Sequence, residues 1–205
     1  TNPRMDAITD FLNADSGPIE IGTPAIQGNT AQHETLVADL SDLDGIYQSA
    51  ATYQWQRDGA DIAGATQQSY VLNQGDVAAT ISLVYRFLDA NGQPRSTISA
   101  ATAPIDNVND APQGAPVVTG TLIQGGTLVA DGAGIQDADG IDASTVTHQW
   151  LRDGTPIDGA DAQSYLLTQA DVGAQISVTF AYTDLFGAVE TLSSDPMDPV
   201  ENVND

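Results

Sequence analysis

Apolar and polar residues alternate along Ile176-Ser177-Val178-Thr179-Phe180-Ala181-Tyr182, with large side chains on every second position. That is the period of a strand burying one face. Ile81-Ser82-Leu83-Val84-Tyr85-Arg86-Phe87 has the same period. Asp58-Gly59 and Asp153-Gly154 each follow such a run and precede Ile62 and Ile157. An Asp-Gly pair there predicts a two-residue hairpin, because both turn positions tolerate positive φ. Gly92 and Gly187, following Asp89 and Asp184, mark a second turn. At the start of the chain the pattern changes. Met5, Ile8, Phe11 and Leu12 fall at helical spacing and predict a short helix from about Pro3 to Asn13.

These signals recur because the sequence repeats itself. Tyr53-Gln54-Trp55-Gln56-Arg57-Asp58-Gly59 returns 95 residues later as His148-Gln149-Trp150-Leu151-Arg152-Asp153-Gly154. The same shift carries Gln68-Ser69-Tyr70 onto Gln163-Ser164-Tyr165, Asp76-Val77 onto Asp171-Val172, and Asn107-Val108-Asn109-Asp110 onto Asn202-Val203-Asn204-Asp205. Upstream the shift is 92, from Leu36-Val37-Ala38-Asp39 to Leu128-Val129-Ala130-Asp131, so the second copy carries three extra residues before Asp137. The expected organisation is a linker or helical segment over 1–16, one repeat over 17–108 and another over 109–205.

Roughly seven strands in about 95 residues is the spacing of a β-sandwich of the immunoglobulin type. The fold class expected is all-β: two tandem immunoglobulin-like β-sandwiches behind a short helical N-terminal segment. Trp55 and Trp150 sit mid-strand before their hairpins, where such a sandwich keeps its core tryptophan. Without a disulfide beside them, the rings are expected on Leu36 and Ile81, and on Leu128 and Ile176. A sugar-stacking role is the alternative for a tryptophan, and one ring per repeat inside a strand motif favours the core.

Each copy reads Trp-x-Arg-Asp-Gly-x-x-Ile-x-Gly-Ala, then Ser-Tyr-x-Leu-x-Gln-x-Asp-Val, then Ile-Ser. This pattern resembles the bacterial Ig-like repeats of giant adhesins and RTX-type surface proteins, over almost everything from Gly22 to Asp205. The junction Asp106-Asn107-Val108-Asn109-Asp110-Ala111-Pro112 resembles the linker of cadherin-like repeats. Asn107 stands where that linker has its first aspartate, and Ala111 where it has its final asparagine. The glycine-rich nonapeptide of RTX β-rolls is absent. The resemblance implies a spacer module of a longer secreted or cell-surface protein, of which this chain is expected to be a piece.

Composition sharpens the picture through charge. The chain has 205 residues with 28 acidic side chains against five arginines and no lysine, a formal charge of −23. Such a surface repels nucleic acid and anionic lipid, so neither is an expected partner. It favours cations, and calcium is the hard ion that prefers oxygen ligands. The absence of cysteine excludes disulfides and zinc thiolate sites. No apolar run approaches a membrane span, so no membrane insertion is expected.

The candidate chemistry is therefore acidic. Asp42-x-Asp44-Gly45 and Asp137-x-Asp139-Gly140 place alternating carboxylates before a glycine turn, an arrangement that lets oxygens converge on one calcium ion. In an immunoglobulin sandwich the loop between the second and third strands shares an end with the loop between the last two strands and with the domain's N-terminus. Asp137, Asp139 and Asp184 are thus expected to gather with Asp106, Asn107, Asn109 and Asp110 as a calcium site at the repeat junction. The equivalent set in the first repeat is Asp42, Asp44 and Asp89, with Asp15 before it. The alternative is that these residues only form turns. Asp76 and Asp171 are read as turn-building aspartates, and Arg57 and Arg152 as partners of a nearby carboxylate or covers for the tryptophan edge.

No enzyme class is expected. His33 and His148 have no equivalents in the other copy, no Gly-x-Ser-x-Gly is present, and no zinc spacing occurs. The function expected is an extender or adhesion repeat whose partners are neighbouring repeats of the same chain. The alternatives are a module that binds a surface glycan or protein, hinted at by Phe186 replacing Asn91, and an accessory domain of a larger exported enzyme.

Overall fold

The computed structural model describes residues 22–203, apart from 42, 44, 45 and 90 and the side chains of 46–50. The predicted helix near the start lies outside the described residues, as do Asp15, Asp42 and Asp44. The chain divides into two compact units, one ending at Val108 and the next beginning at Asn109.

The first unit contains β1 (Ala25–Gln27), β2 (Thr35–Asp39), β3 (Ile46–Arg57), β4 (Ala60–Asp61), β5 (Ser69–Val71), β6 (Ile81–Asp89) and β7 (Pro94–Ile98). They form two antiparallel sheets, ordered β1-β2-β5 and β4-β3-β6-β7. The second unit repeats this with β8 (Val117–Gly120), β9 (Thr127–Asp131), β10 (Thr147–Arg152), β11 (Thr155–Pro156), β12 (Ser164–Leu166), β13 (Ile176–Thr183) and β14 (Val189–Ser193). Its sheets are ordered β12-β9-β8 and β11-β10-β13-β14. Each unit is thus an immunoglobulin-like sandwich of three strands facing four.

The alternating runs do as their period requires. Along β13, Ile176, Val178, Phe180 and Tyr182 are buried and the residues between them only partly so. The tryptophans lie at the centre of each core with no exposed surface, Trp55 among Leu36, Leu72, Ile81 and Leu83, and Trp150 among Leu128, Leu167, Ile176 and Val178. Each indole N–H finds a main-chain acceptor, Gln67 at 2.9 Å and Ala162 at 2.8 Å, so the buried ring leaves no polar group unmet. Gln54 and Gln149 donate to the carbonyls of the following tryptophan and of Ile62 or Ile157, which explains the Gln-Trp pair in both copies.

Both Asp-Gly pairs adopt the left-handed conformation, with φ of 48° and 79° in the first and 47° and 77° in the second. That geometry closes the hairpins β3–β4 and β10–β11. Beyond the sheets, the last segment of each unit runs parallel to an early one. Asp106 pairs with Ala31, and Glu201 with Ile123. Gln32 and Gln124 donate their main-chain N–H to those two acidic residues, whose own N–H groups donate to Thr30 and Leu122.

The copies diverge before the tryptophan strand. In the first unit β3 continues back to Ile46, with an irregularity in its pairing between Tyr47 and Thr52. In the second, Asp142 caps a single 3₁₀ turn over Ala143–Thr145 and β10 starts only at Thr147.

Candidate metal centre

One acidic pair shared by both copies, Asp76 and Asp171, is structural. Asp76 is fully buried and its Oδ1 takes both Nε and Nη2 of Arg57, at 2.8 and 2.7 Å. Its Oδ2 accepts from the Tyr70 hydroxyl at 2.9 Å and the Asn73 N–H at 2.9 Å. Asp171 repeats the arrangement with Arg152 at 2.7 and 2.6 Å, Tyr165 at 3.0 Å and the Thr168 N–H at 2.7 Å. Burial pushes the Asp171 carboxyl up, but hydrogen bonds from Thr168, Arg152 and Tyr165 outweigh it and hold the group below the usual aspartate range. Arg57 and Arg152 thus pair with a carboxylate, one of the two roles expected of them.

A different kind of site lies at the end of the second unit where its chain begins. Asp139 is 1% exposed and Asp184 is 3% exposed. Asp139 Oδ2 accepts the main-chain N–H of Asp110 at 2.7 Å, which fastens the start of the repeat to this loop. Asp137 Oδ1 accepts the N–H of Asp139 at 2.8 Å, and its Oδ2 accepts the Tyr182 hydroxyl at 2.5 Å. Asp184 Oδ1 accepts from the N–H groups of Phe186 and Ala188, both at 2.8 Å. The two loops touch, since Leu185 N–H donates to the Asp139 carbonyl at 3.3 Å. Gly140 sits between them at φ +81°, where an added Cβ would meet Leu185 at 2.7 Å.

Two oxygens in this end are left over. Asp139 Oδ1 and Asp184 Oδ2 are buried and accept no hydrogen bond. An unmet carboxylate oxygen shielded from water is costly, because the charge is poorly compensated there. The surroundings are negative as well. Burial, the bond to Asp137 and the charges of Asp137, Glu190 and Asp184 together raise the Tyr182 hydroxyl well above the usual tyrosine range. Residues 109–205 contain one arginine, Arg152, which is already bound to Asp171.

The first unit answers the same position differently. Asp89 Oδ1 accepts from the N–H groups of Asn91 and Gln93, both at 2.9 Å, as Asp184 Oδ1 does from its own turn. Its Oδ2, however, is met by Arg95 Nε at 3.0 Å. The Gln93 N–H leads in holding the Asp89 carboxyl below its ordinary value, and Arg95 adds to it against burial. Asp89, read from sequence as a calcium ligand, has both oxygens occupied by the fold itself.

The remaining candidates are placed as follows. Asp106 is exposed on the parallel terminal segment of the first unit, and Asn107 Oδ1 there is buried without a partner. Asn109 donates its side-chain amide to Glu190 at 2.8 Å. Within the second unit, hydrogen bonds link Asp110 to Asp139 and Asp139 to Asp137, and the Asp184 turn touches the Asp139 loop through Leu185. Among the described residues no three carboxylate or histidine side chains form a ready-made metal cage. An ion here would need main-chain oxygens or water to complete its shell, which calcium accepts. The donor chemistry fits calcium: hard, anionic oxygens, two of them with unused capacity. Three participants were not singled out from sequence: Tyr182, Glu190 and Arg95. Their signal was the exchange of Phe87-Arg95 for Tyr182-Glu190 at the repeat spacing.

No family model matches this sequence, and no curated protein matches it. Solved structures do. Three N-terminal domains of the Highly Immunogenic Outer Capsid protein (Hoc) of bacteriophage RB49 are similar at 16% identity over 84% of this chain and 58% of that one, with a TM-score of 0.32. The tandem Ig repeats of Dlar are similar at 12% identity over 89% and 96%, with a TM-score of 0.27. SGBP-B of the Bacteroides ovatus mixed-linkage glucan utilization locus, in complex with a mixed-linkage heptasaccharide, is similar at 15% identity over 92% and 44%, with a TM-score of 0.26. The chain spans little more than half of the phage structure and less than half of SGBP-B. At these identities and TM-scores the likenesses carry no argument of their own; the tandem immunoglobulin-like architecture rests on the two matching pairs of sheets in this chain.

Proposed function

We propose that the chain is a non-catalytic extender segment of a secreted or cell-surface protein of the bacterial adhesin type, and that calcium completes its second repeat. One observation carries this reading: Asp139 Oδ1 and Asp184 Oδ2 are buried carboxylate oxygens with no partner, in a unit whose arginine is engaged elsewhere. The motif shared by the copies supports the extender half. Its tryptophan, glutamine, arginine, tyrosine and aspartate all act inside the sandwich. Among the described residues no helix is long and apolar enough to cross a membrane.

Asp139 and Asp184 would hold the ion, with main-chain oxygens and water completing its shell, while Asp137 braces Asp139 and Tyr182. Because Asp139 also grips the Asp110 N–H, an ion on Asp139 would tie down the second residue of the repeat. Calcium modules outside cells typically bind at about 10⁻⁴–10⁻³ M. The site would then fill where calcium is plentiful and stay empty inside the cell. Calorimetric titration with calcium chloride, followed by melting with calcium and with chelator, tests the reading. Saturable heat and a higher Tm are expected, both lost in Asp137→Asn/Asp139→Asn. No heat and no shift at several millimolar calcium overturns the metal half and leaves a metal-free spacer.

A second reading, recognition of a glycan or protein, draws on the turn between β13 and β14. Leu185, Phe186 and Val189 are 68%, 50% and 74% exposed there. The first repeat has Ala90, Asn91 and Pro94 at those positions. Loops on a rigid sandwich commonly carry recognition. Binding to a surface glycan or protein that is lost in Leu185→Ser/Phe186→Ser, with the calcium response intact, would establish it.

A further inference from the structure

This inference rests on the calcium reading above and names the residue that decides it. The turns Asp89–Pro94 and Asp184–Val189 are built alike. Each begins with a buried aspartate whose Oδ1 accepts two main-chain N–H groups at 2.8–2.9 Å. Each contains a glycine with positive φ, 73° at Gly92 and 95° at Gly187. Each is followed by a residue that pairs back across the hairpin: Arg95 opposite Phe87, and Glu190 opposite Tyr182.

At that residue the charge is reversed. Arg95 donates to Asp89 Oδ2, whereas Asp184 Oδ2 accepts nothing. The Glu190 carboxylate instead accepts from the Asn109 amide, and its charge reaches the Tyr182 hydroxyl alongside those of Asp137 and Asp184. Losing the arginine alone would leave one oxygen unmet. Putting an acid in its place adds repulsion, which worsens the apo fold and strengthens attraction for a divalent cation.

We propose that position 95/190 selects how each repeat neutralises its last-hairpin aspartate. Arg95 is a built-in cation that makes this turn of the first repeat independent of metal. Glu190 commits the second repeat to a divalent cation held by Asp184 and Asp139. Asp184 and Asp139 are ligands in this account, and Glu190 is a positioning and charge-setting residue.

The experiment follows amide resonances of the two-repeat chain during titration with calcium chloride, paired with melting in chelator. In the wild type, calcium should shift resonances of 137–140 and 184–190 and leave those of 89–95 in place. Glu190→Arg should weaken calcium binding by about tenfold or more, because it puts a positive charge beside the site. It should also raise the chelator Tm, because the arginine reaches Asp184 as Arg95 reaches Asp89. Glu190→Gln, the milder change, should weaken binding less and leave the chelator Tm near wild type. If wild type binds calcium at 137–140 and 184–190 but both variants bind as tightly, this inference fails and the calcium reading stands. If calcium perturbs 89–95 as strongly as 184–190, the inference also fails. If wild type binds no calcium, both fall.

Discussion

Arg152 and Glu190 belong to one sandwich, Arg57 and Arg95 to the other, and comparing the pairs separates two kinds of residue. Arg57 and Arg152 make the same bonds to Asp76 and Asp171, within 0.1 Å of each other. That network is part of the fold, since it joins the tryptophan strand to the turn before β6 or β13. Arg95 and Glu190 occupy equivalent places on the last hairpin with opposite charge. Nothing in the sandwich requires either, because both hairpins close with the same register. In this duplicated chain the matching Arg–Asp pairs belong to the construction of the sandwich, and the reversed charge at 95 and 190 is where the two last hairpins differ.

The largest effect expected tests the sameness of the cores. Trp55→Ala and Trp150→Ala should each destabilise their own repeat by about 3–5 kcal/mol, the usual range for such truncations. Urea melts resolved by repeat should show matching losses. A much smaller loss in one would mean its core collapses around the cavity more easily.

Removing the shared arginine comes next. Arg57→Ala or Arg152→Ala strands a fully buried aspartate, and breaking such a pair costs on the order of 3 kcal/mol. The two losses should agree, because the partners and distances do. The test is again a denaturation series, and a twofold disagreement would show that the networks are less alike than their geometry.

Asp89→Asn and Asp184→Asn should instead part company. In chelator, Asp89→Asn lowers Tm by removing the partner of Arg95. Asp184→Asn raises Tm, or leaves it unchanged, by removing an uncompensated charge. Adding calcium should reverse the second result relative to wild type and leave the first alone. Equal behaviour in chelator would erase the distinction between the turns.

The smallest effect is set by pH. His148 lies edge-on to Phe180, with ring centroids 5.2 Å apart, and burial lowers its pKa below the ordinary 6.5. The unfolded chain therefore takes up this proton first as pH falls. Stability of the second repeat is retained above about 6.5 and declines below it, through this group. The first repeat has Tyr53 at that position and gains no such slope. Melting His148→Tyr between pH 7.5 and 5.5 should flatten the difference.

Much of this architecture was legible because it is local. Alternation along β6 and β13 and the Asp-Gly hairpins need only a few residues to declare themselves, and both tryptophans sit where their strand motif predicted. The nearness of the loop carrying Asp137 and Asp139 to the turn that begins at Asp184 followed from topology once the sandwich was assumed. What escaped was who satisfies whom. Asp89 and Asp184 look identical in sequence, each followed by a glycine turn, and their difference depends on a residue six positions on that folds back across the hairpin. Charge at 95 and 190 was visible, but its meaning required the register of β6–β7 and β13–β14. The 3₁₀ turn capped by Asp142 was hidden for a similar reason. The three added residues showed a changed connection without showing its path.

The parallel pairing of Asp106 with Ala31, and of Glu201 with Ile123, sets how each repeat responds to being pulled. Tension along the chain draws the early and late segments of a repeat in opposite directions. Hydrogen bonds between parallel neighbours are then loaded together, in shear, and must yield almost simultaneously. A hairpin pulled open from one end would surrender its bonds singly. The same main-chain bonds that join the early and late segments of each repeat thus act as a clasp across its two ends.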